Sequence, residues 1–188
     1  RLVQAEEHAV RIQAPANVLA HIKTEQDGRE LTIDQERCVD GQPVEVDVRV
    51  RSLRDIDLNG SGSLQSKGLN TDELDVGVNG AGTIQLMGLS AQALSVHING
   101  SGDATFGGTV EDQNLKVNGS GNLMNAELQS QSAEVTINGS GNAHLNVRQS
   151  LKVRINGSGT VFLKGQPAEL DQKVRGSGRI LQSGETAR

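Results

Sequence analysis

Asp55, Asp57 and Asp75 are the residues whose types and spacing come closest to chemistry. Aligned on the repeat described below, Asp55 and Asp75 fall on adjacent turns one strand spacing apart, with Asp72 and Glu73 nearby. Like charges at that separation raise one carboxyl pKa or recruit a cation. Clustered carboxylates are also what carbohydrate-cleaving β-helices place on such a face. The three aspartates therefore carry two expectations, a carbohydrate-active enzyme and a weak cation site. A third reading, a solvated acidic patch, is favoured, because no Lys, Arg or His shares their columns on these two turns to act as a proton partner.

No other group assembles into a reactive site. His97 and His144 fall on outward positions of different turns, and His8 and His21 lie in a less regular N-terminal stretch. Neither a zinc spacing nor a Ser-His-Asp arrangement results. Cys38 is the only cysteine, which excludes an internal disulfide framework; a lone cysteine is expected as a small buried residue. The glycine-rich strings lack the helix and lysine of a phosphate loop, and no cofactor is implied. A net charge of -5, with Phe106 and Phe162 the only aromatics, gives no basis for nucleic-acid binding. No stretch approaches the ~20 apolar residues of a membrane helix. The chain begins at Arg1 rather than Met, and removal of a signal or anchor is expected.

The elements that must hold these residues come from a repeat. Asn-Gly-Ser-Gly occurs at Asn59, Asn99, Asn118, Asn138 and Asn156, as Asn79-Gly80-Ala81-Gly82, and in the degenerate Arg175-Gly176-Ser177-Gly178. Successive copies start 20, 20, 19, 20, 18 and 19 residues apart. Each copy sits in a period-two pattern, as in Leu94, Val96, Ile98, Gly100, Gly102, Ala104 and Phe106. That alternation predicts strands with one buried face. With no helical spacing between copies, the expectation is an all-β fold. It is a single-stranded parallel β-helix (solenoid) of about 18–20 residues per coil, with the glycines at inward positions beside a corner.

Residues 1–52 lack the signature. They carry alternating runs around Val10–Ile12 and Val18–Ile22, a hairpin signal at Asp27-Gly28, and alternating Val44, Val46, Val48 and Val50. The chain is read as one β-helix domain over 1–188. Residues 1–52 form an irregular N-terminal cap, 53–181 seven signature coils, and 182–188 a polar C-terminal tail.

Together with Ile12-Gln13-Ala14-Pro15-Ala16-Asn17-Val18 and Asp27-Gly28-Arg29-Glu30-Leu31-Thr32-Ile33, the signature coils resemble the bacterial family of putative autotransporter adhesin head GIN domains. The resemblance runs from about residue 8 to residue 181, with departures at Ala81 and Arg175. It implies a right-handed parallel β-helix, export beyond the inner membrane and no established catalytic activity. It supplies no active-site residues to carry over.

Stacking the coils turns sequence positions into columns. Asn79, Asn99, Asn118 and Asn138 form one column, and Ser101, Ser120 and Ser140 another. The functional reading is a polar ladder for an envelope polysaccharide or a surface protein. The structural reading, which is favoured, is that Asn and Ser serve tight turns and bond along the stack. The functional expectation is therefore a non-catalytic, exported module, structural or adhesive, at the cell envelope in the periplasm or on the surface. A homo-oligomer built end to end or side by side is a further expectation.

Overall fold

The computed structural model describes residues 1–36 and 43–182. Cys38 and residues 183–188 of the expected tail lie outside the described residues. In chain order the elements are β1 (Leu2–Gln4), β2 (Ala9–Gln13), α1 (Ala16–Leu19), β3 (Ile22–Asp27), β4 (Glu30–Gln35) and β5 (Glu45–Val50). They continue as β6 (Asp55–Gly60), β7 (Ser63–Lys67), β8 (Glu73–Gly80), β9 (Thr83–Gly100) and β10 (Asp103–Gly119). The last are β11 (Asn122–Gly139), β12 (Asn142–Gly157), β13 (Thr160–Lys164), β14 (Glu169–Gly176) and β15 (Arg179–Gln182). Strand β6 and everything after it stack in parallel as a solenoid of about six turns, the six intervals between seven signatures.

The alternation decides the core. Leu94, Val96, Ile98, Ala104 and Phe106 are all fully buried, as are their counterparts Leu115, Val117 and Leu123 one coil on. Each lies above the same position of its neighbour: Leu94 with Leu74 and Gln113, Val96 with Val76 and Leu115. Differences in coil length are absorbed away from the signature. Between β11 and β12 the pairing jumps from Met124↔His144 to Gln129↔Asn146 and then returns to steady register through Asn138↔Asn156. The signature corner stays in phase because its glycines leave no slack.

The two glycines of the signature have different tasks, which refines the expectation that both face inward. Gly80 has φ +121°, and a Cβ there would lie 2.6 Å from the carbonyl oxygen of Gly60 in the preceding coil. It is an exposed corner residue. Gly82 faces the core with ordinary φ, and a Cβ would come within 2.7 Å of Leu58 Cδ2. The first glycine allows a left-handed corner at close backbone approach, and the second makes room for an apolar side chain. The corner is sewn by hydrogen bonds from Ala81 N–H to Gly60 O and from Ser101 N–H to Gly80 O, both 2.9 Å.

The N-terminal stretch departs from coil geometry. Strand β1 runs parallel to β5 and β7, but β2 pairs with β5 antiparallel, from Ala9↔Arg49 to Gln13↔Glu45. The expected hairpin forms as β3 and β4, turning at Asp27↔Glu30 with Gly28 at φ +57°. The run expected to alternate around Val18–Ile22 instead begins as one helical turn, α1. Pro15 fixes its own φ at -55°, and its carbonyl accepts from the N–H groups of Val18 and Leu19 at 2.9 Å. The turn buries Val18 completely, a contact that an alternating count cannot anticipate. Two Gln4 side-chain bonds tie this stretch to the solenoid, from Nε2 to Asn70 O at 3.0 Å and to Oε1 from Asn70 N–H at 2.8 Å.

Gly80→Ala should destabilise the chain by about 2 kcal/mol or more, combining left-handed strain with backbone overlap. Ala81→Ser, which restores the signature at an exposed site, should change stability by less than about 0.5 kcal/mol. Urea unfolding of the two variants beside the parent chain checks both values.

Candidate binding surface

Register places the asparagine column on a single line. Asn59, Asn79, Asn99, Asn118, Asn138 and Asn156 are successive Cα partners, and Arg175 takes the next position. Each Nδ2 donates to the Oδ1 of the preceding coil. The distances are 3.0 Å for Asn79 to Asn59, 2.9 Å for Asn99 to Asn79, 2.8 Å for Asn118 to Asn99, and 2.9 Å for both Asn138 to Asn118 and Asn156 to Asn138. These amides are committed to one another first, as the structural reading expected. All their dipoles point the same way, so the ladder has a donor end at Asn59 and an acceptor end at Asn156 beside Arg175. Ser101, Ser120 and Ser140 stand exposed at the adjoining corner. Their hydroxyls face solvent while their N–H groups hold the glycine carbonyl of the coil before.

A second, shorter ladder lies beyond the corner. Asn122 donates to Asp103 Oδ1 through Nδ2 at 2.8 Å and through its backbone N–H at 3.0 Å, and Asn142 Nδ2 donates to Asn122 Oδ1 at 3.0 Å. Beside this ladder an outward column runs through Met124, His144, Phe162 and Leu181 in register. The rings of His144 and Phe162 stack with centroids 4.4 Å apart.

Asp55 and Asp75 are direct partners, and Asp57 stands opposite Gly77. Partial burial, then the charges of Asp57, Asp75 and Glu30, push the Asp55 carboxyl above its usual range. Among the described residues, no three His, Cys, Asp or Glu side chains converge as a metal-binding group. The acidic column changes character further along, where Glu134 meets Lys152 at 3.4 Å and also pairs with Arg154. Burial raises the Glu134 carboxyl, but the hydrogen bonds and charges of Arg154 and Lys152 outweigh it and hold the group below its usual range.

The sequence reading missed one concavity. A groove of about 450 Å³ crosses successive coils at a different corner, where Asn70, Asp72, Gln92, Thr109 and Glu111 line it with amides, a hydroxyl and two carboxylates. Thr71 also lines it, with Oγ1 at 2.9 Å from Leu53 O. Asn70 bridges to Ser90 in the next coil. Both lie 11 residues after a signature asparagine, so the period was visible. The residue types at this corner vary from coil to coil, so no motif marked it.

The model of the family described as putative auto-transporter adhesin, head GIN domain, matches residues 1–167. The fold is also found in solved structures. A putative adhesin from Bacteroides fragilis is 24% identical with a TM-score of 0.87, covering 97% of this chain and 86% of that one. A putative lipid binding protein from Parabacteroides distasonis is 22% identical with a TM-score of 0.77, covering 97% and 87%. A putative adhesin from Parabacteroides merdae is 22% identical with a TM-score of 0.73, covering 97% and 86%. Among curated proteins no significant match is found.

Asn99→Ala should remove two ladder bonds and cost about 1–2 kcal/mol, near 1 kcal/mol for each. Asn99→Asp should cost more at neutral pH, because a carboxylate oxygen then faces Asn79 Oδ1, and the deficit should shrink in acid as that carboxyl protonates. Chemical denaturation at pH 7 and pH 4 separates the two variants. For Asp55 the folded pKa is raised, so its charge opposes folding as pH rises from the unfolded value of 3.8 through the folded one. Asp55→Asn should therefore raise the melting temperature at pH 7 and leave it unchanged below the unfolded pKa.

Proposed function

The chain belongs to the putative auto-transporter adhesin, head GIN domain family, and from that premise we propose that it is a non-catalytic, exported module of the bacterial envelope that binds a polar polymer along its coils. The observation that carries this reading is the groove through Asn70, Asp72, Gln92, Thr109 and Glu111, open across successive turns. A polymer bearing hydroxyl or amide groups along its length suits a groove that offers polar groups, of differing type, from one coil after another. Such recognition rests on hydrogen bonds, with no aromatic platform in the groove. Each contact is then weak, and useful affinity comes from repetition along the polymer or among copies.

Charge narrows the partner class. Asp72 and Glu111 in the groove, on a chain of net charge -5, oppose uronic-acid or phosphate polymers and favour neutral or amino-sugar polysaccharides. The exposed hydroxyls of Ser101, Ser120 and Ser140 offer a second row of contacts. Asn79, Asn99, Asn118 and Asn138 serve mainly to keep that row in register. Protein partners on the cell surface are the alternative occupant of the same groove. The family match supports an extracytoplasmic position, and the periplasm or the cell surface is the compartment this reading takes. Among the described residues no helix is long and apolar enough to cross a membrane.

Multivalent display of the chain on an array of envelope polysaccharides should capture neutral or amino-sugar polymers in preference to acidic ones. Gln92→Ala combined with Glu111→Ala should weaken that capture about tenfold, the loss of ~1.4 kcal/mol of contacts. Failure to bind any glycan or surface protein would remove the adhesive role. Glycan cleavage abolished by Asp55→Asn with Asp75→Asn would replace it with the enzyme reading.

A further inference from the structure

The two ends of the solenoid differ. Toward the N-terminus the large sheet continues from β7 through β1 and β5 to β2. The first signature strand, β6, carries Asp55 and Asp57, and Glu30 of the hairpin lies close enough to act on Asp55. Toward the C-terminus, β14 pairs only with β12 among the described residues, and all eight of its residues are exposed. Leu170 and Val174, which continue the core columns of Leu151 and Ile155, are 39% and 40% exposed. An edge strand of this length, without proline or bulge, is a template for another strand.

We propose that β14 is a self-complementary edge on which two copies of this chain join tail to tail, antiparallel, across a two-fold axis at Gln172. The strand reads Glu169-Leu170-Asp171-Gln172-Lys173-Val174-Arg175-Gly176. Placed against itself in reverse about Gln172, it sets Asp171 opposite Lys173 and Glu169 opposite Arg175 of the second copy, with Leu170 opposite Val174. The axis repeats each contact, giving four ion pairs and two apolar pairs around a central Gln172–Gln172 contact. Directly opposed residues of an antiparallel pair share a face. Register with β12 already assigns the faces: Leu170, Gln172 and Val174 follow Leu151, Val153 and Ile155, while Asp171 and Lys173 follow Lys152 and Arg154. The apolar pairs therefore join the two cores and the ion pairs lie outside.

Other alignments are worse. Moving the axis to Lys173 or to Asp171 puts like charges directly opposite one another. A shift by one residue turns Leu170 and Val174 away from the core. Head-to-tail stacking in signature register would set Asp171 against Asp55 of the next copy, and two β6 edges would bring Asp55 and Asp57 together with their own kind. Closure at two copies follows, because an isologous pairing consumes the β14 edge of both copies at once.

Sedimentation equilibrium and light scattering across micromolar to submillimolar concentrations test this on the full chain. The mass should rise from 19.9 kDa to twice that value with increasing concentration. Asp171→Lys alone and Lys173→Asp alone should each weaken self-association about tenfold or more. An equimolar mixture of the two should recover the dimer. The double swap should recover it too, since each lysine introduced in one copy then faces an aspartate introduced in the other. Circular dichroism reports whether each variant keeps its fold, and Glu169→Lys with Arg175→Glu provides a second pair with the same logic. A parent chain that stays monomeric, species that grow beyond two copies, or a mixture that fails to recover the dimer would each overturn the proposal.

Discussion

Every turn of this molecule depends on how closely one coil can approach the next at the signature corner. The carbonyl of one glycine lies where the Cβ of the glycine above would have to be, and the N–H of the following residue bonds to that same carbonyl. A larger residue would push the coils apart, lengthening the backbone bonds on both sides of the corner at once. The strands before and after the corner inherit their register from this contact. The core is consequently a set of columns, mostly Leu, Val and Ile stacked on one another, filled without large aromatics apart from buried Phe106. Glycine supplies the approach that bulk would prevent, and small branched side chains suit the narrow interior that results.

The same contact explains the polar surface. Because the corner holds identical positions one above another, the asparagine amides meet at hydrogen-bonding distance and satisfy one another. A ladder of this kind reinforces the register that the glycines set. It also removes the amides from first consideration as ligand groups, and leaves recognition to positions where the coils are less alike. The groove lies at such a place, and so does the interior pair in which Asn125 Nδ2 donates to Gln113 Oε1 at 3.0 Å inside the core. Repetition stabilises the rod. Variation between coils gives it particular surfaces.

Electrostatics follow the columns too. The column of Asp55 and Asp75 passes through neutral residues to Glu134, Lys152 and Asp171. At its start the carboxylates repel and Asp55 is held above its usual pKa; further on, cations draw Glu134 below its own. One sheet position thus passes from repulsive to attractive along the rod.

Spacing and alternation alone were enough to determine the period, the apolar core positions of the signature coils and the membership of each column, down to Asp55 beside Asp75, though they placed the corner glycine inward with the core. They suffice because parallel in-register stacking converts a linear repeat directly into spatial neighbours. The tertiary structure decided what depends on the gap between coils or on partners distant in the chain. It separated the corner glycine from the core glycine and closed the asparagine amides into a ladder. It folded Ala16–Leu19 into a helical turn under Pro15, turned β2 antiparallel to β5, opened a groove at a corner with no recurring motif, and, among the described residues, left β14 paired on one side alone. None of these follows from a period, because a period specifies what each coil shares and these features arise where neighbours differ or run out.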